Sequence, residues 1–265
     1  MTGRSESNWP MDFSTARILV SNDDGIEAPG IKVLARIAAA LSDDVWVVAP
    51  ETEQSGAGHS LTLRRPLRIR QVEERRFAVD GTPTDCVLLA INEILKVRKP
   101  TLVLSGVNRG GNLGEDVTYS GTVAAAMEGT VLGVPSIALS QEYPVGGAVP
   151  WETAETLAPD LIRRLCAIGW PRNSLININF PAVMPDRVTG VRACVQGRRK
   201  IGDQIVTGND PRGAPYYWIG SMRTEDPTVA GTDLNAVHAG AVAVTPIAMN
   251  MTDHPTLTKL AETFH

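Results

Sequence analysis

The sequence predicts an α/β protein, a doubly wound and mostly parallel sheet followed by a β-rich C-terminal arm. Three observations carry that reading. Short apolar runs such as ILV at 18–20 and VWVV at 45–48 alternate with longer stretches of helical spacing. The runs are apolar throughout rather than in alternation, as strands covered on both faces must be. After about Val191 the rhythm fades and turn-rich segments such as Asn209–Pro215 take over.

Residues 1–15 are polar and aperiodic, which predicts a disordered N-terminal extension. Ala16–Ser21 is a branched apolar run closed by Asn22-Asp23-Asp24-Gly25, a buried strand ending in a turn. Pro29-Gly30 opens a helix over Ile31–Leu41, with Ile31, Leu34, Ala35 and Ala38 at helical spacing. Val45–Ala49 is a second strand, broken by Pro50, and a polar segment runs from Glu51 to Ser60. Leu61–Val72 and Phe77–Val79 predict a hairpin turning at Glu73-Glu74. Thr84 or Asp85 caps a helix reaching about Val97. Thr101–Leu104 is a third strand, followed by the glycine-rich run Gly106–Gly114. Helix Val123–Gly129, strand Ser136–Leu139, helix Thr153–Ile168 with a kink or restart at Pro159, and strand Ile176–Phe180 complete a core over 16–190. Residues 191–265 form the arm, with a short final helix near Leu257–Thr263.

The chain of 265 residues carries 25 Lys+Arg against 29 Asp+Glu, a net charge of −4. That balance argues against duplex nucleic acid or an anionic membrane as partner, since both demand a basic surplus. Cys86, Cys166 and Cys194 are widely spaced, odd in number and free of any C-x-x-C pair, so they read as core thiols in a reducing compartment. Neither a signal peptide nor a membrane span is recognisable, and a cytoplasmic location is expected.

Ligands of an open parallel α/β sheet bind beyond the carboxyl ends of its strands. There the first strand offers Asn22-Asp23-Asp24, the second leads to Ser55, and the third leads through Ser105 to Asn108. Adjacent carboxylates repel and resist dehydration unless a cation or hydrogen-bond donors share the site. Two carboxylates, a hydroxyl and an amide oxygen suit Mg²⁺, Mn²⁺ or Ca²⁺ rather than zinc. Gly106, Gly110, Gly111 and Gly114 allow close backbone approach to an anion, and Asn112 adds an amide donor. Ser120-Gly121-Thr122 stands where the next helix begins, either as a phosphate cradle or as an ordinary N-cap beside a close-packed loop. A metal beside a phosphate cradle indicates phosphoryl transfer or phosphate-ester hydrolysis. No G-x-x-x-x-G-K-[ST] occurs, which argues against a nucleoside triphosphate as fuel. His59 reads as an exposed loop histidine, Arg198-Arg199-Lys200 as a solvated turn, and Arg64, Arg65, Arg68 and Arg70 as the outer face of the hairpin.

The blocks VSNDDG at 20–25, APG at 28–30, VAP at 48–50 and GTPTDC at 81–86 fall in an order that resembles the SurE family. SGVN at 105–108, NLG at 112–114 and YSGTVAAAMEG at 119–129 continue the likeness. It extends through DPRG at 210–213, YWIG at 217–220, GTD at 231–233 and Thr245-Pro246. It covers nearly everything after residue 16. The resemblance implies a divalent-metal-dependent nucleoside monophosphate phosphatase, a 5′-nucleotidase also acting on 3′-nucleotides. It further implies a Rossmann-like core and a homodimer or homotetramer built through C-terminal arms. Carried over, the ligands of one divalent cation, Mg²⁺ or Mn²⁺ with Ca²⁺ as alternative, are Asp23, Asp24, Ser55 and Asn108, of which Asp23, Asp24 and Asn108 are also catalytic. Asn112, Ser120, Gly121 and Thr122 would hold the phosphate. The chain departs from the family at Arg109-Gly110-Gly111, where a small residue and Gly-Pro are usual, and Arg109 would add charge stabilisation there.

The expected chemistry is a metal-activated water attacking phosphorus, preferred over an Asp23 phospho-enzyme because both carboxylates serve as ligands. A receiver-like signalling domain would need an acceptor Asp after the third strand, where Ser and Asn stand instead. Haloacid-dehalogenase-type phosphatases use Asp-x-Asp, whereas Asp23 and Asp24 are adjacent. Polyphosphate or another phosphomonoester as main substrate stays open at this level.

Overall fold

A computed structural model describes residues 9–201, 204–219 and 223–264. The chain order is β1 (Arg17–Ser21), α1 (Pro29–Ala39), β2 (Asp44–Pro50), β3 (Ile69–Glu73), β4 (Arg76–Val79), α2 (Pro83–Leu89), β5 (Leu102–Arg109), α3 (Gly121–Val131), β6 (Ser136–Gln141), α4 (Trp151–Ile168) and β7 (Ser174–Phe180). There follow β8 (Val191–Ala193), β9 (Arg199–Ile201), β10 (Ile205–Asn209), β11 (Pro215–Ile219), β12 (Arg223–Glu225), α5 (Asp233–His238), β13 (Val242–Ala248) and α6 (His254–Phe264). Nine strands form one sheet in the order β3-β4-β2-β1-β5-β6-β7-β13-β8. Its body, β4 to β7, is parallel, while β3 and β13 run antiparallel to their inner neighbours. The predicted α/β class and parallel sheet are present.

Both faces of β1 are dry, which explains its uninterrupted apolar run. Ile18 and Val20 pack with Ile31, Leu34 and Ile37 of α1 and Leu161 and Ile162 of α4. Leu19 faces the other way, onto Val87 and Ile91 beside Val103 and Ala125. Thr82 rather than Thr84 caps α2, its hydroxyl accepting the Asp85 N–H while the Asp85 carboxylate accepts the Thr82 N–H. Past Leu89 the helix continues as a π-turn to Ile94 and stops short of the expected Val97. Helix α4 runs through Pro159 without a break.

Three other expectations are corrected. Of the extension expected over 1–15, residues 1–8 lie outside the described residues, but the rest is packed: Trp9, Met11 and Phe13 lie against the core, and the Trp9 ring meets Trp170 at 4.7 Å. Gly169, at φ +69°, leaves room for Trp9, since a Cβ there would come within 2.5 Å of its ring. The hairpin strand starts at Ile69 instead of Leu61, and β4 joins the main sheet beside β2. Among the described residues of 191–265, β8 and β13 extend the main sheet, while the pairs β10–β11 and β9–β12 and the helix α6 stand outside it as an arm.

All three cysteines are unpaired and buried. Among the described residues no helix is long and apolar enough to cross a membrane.

Candidate active site at the carboxyl edge of the sheet

The chain leaves β1 for β2 on one side, while β5 flanks it on the other. The strand order therefore reverses between β1 and β5, the crevice where such sheets bind ligands. Asp23 and Asp24 emerge there. The Asn22 side chain closes the turn by donating to the Gly25 carbonyl at 3.0 Å.

Asp23 is 4% exposed, and its Oδ1 accepts the hydroxyl of Thr122 at the start of α3. A Cβ on Gly121 would lie 2.6 Å from Asp23 Cβ, so this glycine is what lets the helix end meet the carboxylate. The Asp23 carbonyl accepts the Gln54 N–H at 2.8 Å and draws the Ser55 loop to the site. The Ser55 hydroxyl itself donates to Glu53 Oε1 at 2.8 Å.

On the other side the register of β5 against β6 slips between Ser105 and Asn108. This bulge carries the strand on to Arg109, five residues beyond its predicted end at Leu104, and re-aims Asn108 and Arg109. The Arg109 backbone N–H reaches the Asp24 carboxylate. Asn108 spends its amide nitrogen on the Gly110 carbonyl at 2.8 Å, so its amide oxygen is the group that suits a cation.

Burial pushes the Asp23 carboxyl above the usual carboxylate range. Asp24 rises to about 6, chiefly through burial and then through the charge of Asp23. Glu53 adds to both shifts, a contribution that sequence reasoning missed because nothing in a loop residue's spacing tells where it folds back. The Arg109 guanidinium stacks on Tyr143 at 5.3 Å and lowers the Asp24 carboxyl only through its charge. No group of three or more His, Cys, Asp or Glu side chains is placed for a metal among the described residues. A cation here would therefore draw on the amide and hydroxyl oxygens as well. Two crowded, dehydrated carboxylates and an amide oxygen fit a hard divalent cation.

The shift of Asp24 has a measurable sign. Its folded-state value near 6 lies above the ordinary 3.8, so the folded chain holds the extra proton and stability falls as pH rises from about 4 to about 6. In metal-free protein Asp24→Asn is expected to be about 1–2 kcal/mol more stable than the parent at pH 7.5, a figure reduced for partial exposure. Near pH 4 the two should match. Urea unfolding in EDTA at both pH values checks this, and an equal difference at both would contradict it.

The anion side is more internally committed than the sequence indicates. Ser120 Oγ accepts the Val123 N–H at 3.0 Å as an N-cap, and the Thr122 hydroxyl is given to Asp23. Asn112 is 6% exposed: its side-chain nitrogen donates to Ser140 Oγ at 2.8 Å and its backbone N–H to Asn179 Oδ1 at 2.8 Å. What α3 leaves for an anion is its N-terminal turn at Gly121 and the positive end of its dipole. The glycines mainly serve packing. Cβ atoms would come within 2.2 Å of the Leu139 carbonyl at Gly106, 2.7 Å of Glu142 Oε1 at Gly111 and 2.7 Å of the Arg199 nitrogen at Gly114.

Of the other singled-out residues, His59 is an exposed loop histidine as expected, and its Nε2 lies 2.9 Å from the buried Glu128 of α3. Arg199 turns out otherwise than expected: it is not solvated but 4% exposed. Arg65, Arg68 and Arg70 do lie on the surface, paired with Asp80 and Glu51.

Residues 18–203 match the family described as survival protein SurE. The chain is 63% identical over 253 residues to 5′-nucleotidase SurE of Paramagnetospirillum magneticum, covering 96% of this chain and 97% of that one. To 5′-nucleotidase SurE of Rhodospirillum rubrum it is 59% identical over 256 residues, covering 96% and 98%. Among solved structures, the SurE protein of Aquifex aeolicus superimposes with a TM-score of 0.82 at 38% identity, covering 94% of this chain and all of that one.

Proposed function

The chain belongs to the SurE family, and from that premise we propose that it is a divalent-metal-dependent phosphatase releasing phosphate from nucleoside 5′-monophosphates and also from 3′-monophosphates. The 5′-nucleotidase activity named for its relatives is supported here by identity across nearly the whole chain. The observation that carries the metal reading is the pair Asp23 and Asp24, held above the usual carboxylate range at the switch point.

Asp23, Asp24 and Asn108 would hold the cation, with Ser55 brought in by its loop. A cation there neutralises phosphate charge and lowers the pKa of a water. Thr122 fixes the orientation of the Asp23 carboxylate, and the Arg109 backbone favours the charged form of Asp24. The N-terminal turn of α3 would meet the phosphate at Gly121, with Ser120 and Thr122 shaping that turn, Asn112 bracing the loop, and Arg109 adding positive charge at the rim. Since both carboxylates serve as ligands, water is the proposed nucleophile.

The proposal includes a homodimer or homotetramer built through the arm. Tyr217, Trp218 and Ile219 of β11 are exposed, as are Leu257, Leu260 and Phe264 of α6, and a second copy of the chain would cover such apolar surface. A cytoplasmic site of action is in keeping with three unpaired cysteines.

Initial rates with 5′- and 3′-nucleoside monophosphates, tripolyphosphate and p-nitrophenyl phosphate at equal Mn²⁺ test the substrate class. Nucleotides are expected to give the highest kcat/KM. Faster turnover of tripolyphosphate would replace them as substrate.

A further inference from the structure

Arg199 opens β9, at the junction of core and arm, and three carboxylates converge on its guanidinium. Nη1 donates to Glu142 Oε1 at 2.8 Å, while Nε lies 3.2 Å from Asp116 Oδ2 and 3.4 Å from Glu225 Oε2 as charge contacts without a hydrogen bond. The Arg199 backbone N–H donates to Glu115 Oε2 at 2.6 Å, and Gln196 Nε2 donates to the Gly114 carbonyl at 2.5 Å. Asp233 closes the seam by accepting the N–H of Gly114 at 2.9 Å and of Gly197 at 2.8 Å.

The stitched loops are those that shape the phosphate end of α3. The Asp116 carbonyl accepts the N–H groups of Tyr119 and Ser120, each at 3.0 Å, which sets the entry into the helix at Gly121. Glu142 follows β6 and backs Gly111 in the loop after β5. One guanidinium therefore ties both loops to the segment that leads into the arm. A lone surface pair would contribute little, but a buried guanidinium among three acids couples their places to its own through charge, because removing it leaves that charge uncompensated.

We propose that Arg199 is a positioning residue: acting through Asp116, it fixes the turn that presents the N-terminal end of α3 at Gly121 to the phosphoryl group. This rests on the reading of α3 given under the proposed function. Its consequence is that the region leading into the arm is part of the phosphate site's support.

The test compares the full-length parent with Arg199→Lys, Asp116→Asn and the double variant. KM and kcat for 5′-AMP, competition by inorganic phosphate, and Mn²⁺ affinity by electron paramagnetic resonance are measured. Each single variant is expected to raise KM and the phosphate inhibition constant about tenfold while leaving Mn²⁺ affinity unchanged, since a small misplacement is costly to binding. The double variant should be no worse than the worse single one. Asp116→Asn removes an acid from a cluster already rich in them, and it carries the test alone if Arg199→Lys fails to fold. Unchanged phosphate inhibition in Asp116→Asn, or singles whose losses simply add, overturns the role of Arg199. A parent protein that hydrolyses nucleotides without competition from phosphate overturns the reading of α3 itself, and the proposal with it.

Discussion

Asp23→Asn is expected to cost about a thousandfold in kcat/KM at saturating divalent metal while the protein stays folded. The amide has the shape of the carboxylate and keeps an oxygen for the Thr122 hydroxyl, so the start of α3 loses no support. It also removes a charge that burial already disfavours, and the melting temperature of the metal-free variant should equal or exceed that of the parent. What it lacks is an anionic ligand. Groups one bond further from a metal typically cost 10- to 100-fold when removed, so a ligand itself should cost more. Steady-state kinetics with 5′-AMP at high Mn²⁺ measure the loss. An active Asp23→Asn enzyme would remove Asp23 from the site.

Gly106→Ala should have the largest effect on the fold. Gly106 stands at φ +130°, where side chains are strained, and an added Cβ would come within 2.2 Å of the Leu139 carbonyl on β6. The clash falls on backbone in a central strand, so no side chain can swing away to relieve it. A loss of about 3–5 kcal/mol and a melting temperature about 10 °C lower are expected. Gly133 provides the contrast: its φ is +83°, but nothing lies within 4 Å of an added Cβ. Gly133→Ala should cost only about 1–2 kcal/mol, the left-handed strain alone. Thermal unfolding of the two variants side by side checks this, and equal losses would show that the bulge tolerates a side chain.

What the sequence reveals and what it hides divide along a physical line. Strands buried on both faces leave uninterrupted apolar runs, so β1, β2, β6 and β7 are legible to within two residues at each end. The place of the acidic pair that follows such a strand is legible too, because the topology of parallel sheets sends it to the carboxyl edge. Asn108 is readable as a donor, but its place on the strand is not, since the bulge that extends β5 depends on the fit of Gly106 against β6. The glycines after it look like ligand-facing positions, yet Gly111 and Gly114 meet Glu142 and Arg199, partners distant in sequence. Arg199 hides for the same reason. A basic triplet reads as solvated until its acids, Asp116, Glu142 and Glu225, arrive from three other segments. Trp9 is likewise silent in a polar lead-in, because its partner Trp170 lies across the fold.

Metal dependence is the decisive property. Protein stripped with EDTA should release no phosphate from 5′-AMP, and titration with Mn²⁺ should restore the rate in step with one ion bound per chain, counted by electron paramagnetic resonance. In Asp23→Asn the same titration should restore almost nothing. Full hydrolysis in excess EDTA, or a rate indifferent to bound Mn²⁺, would contradict a metal held by Asp23 and Asp24.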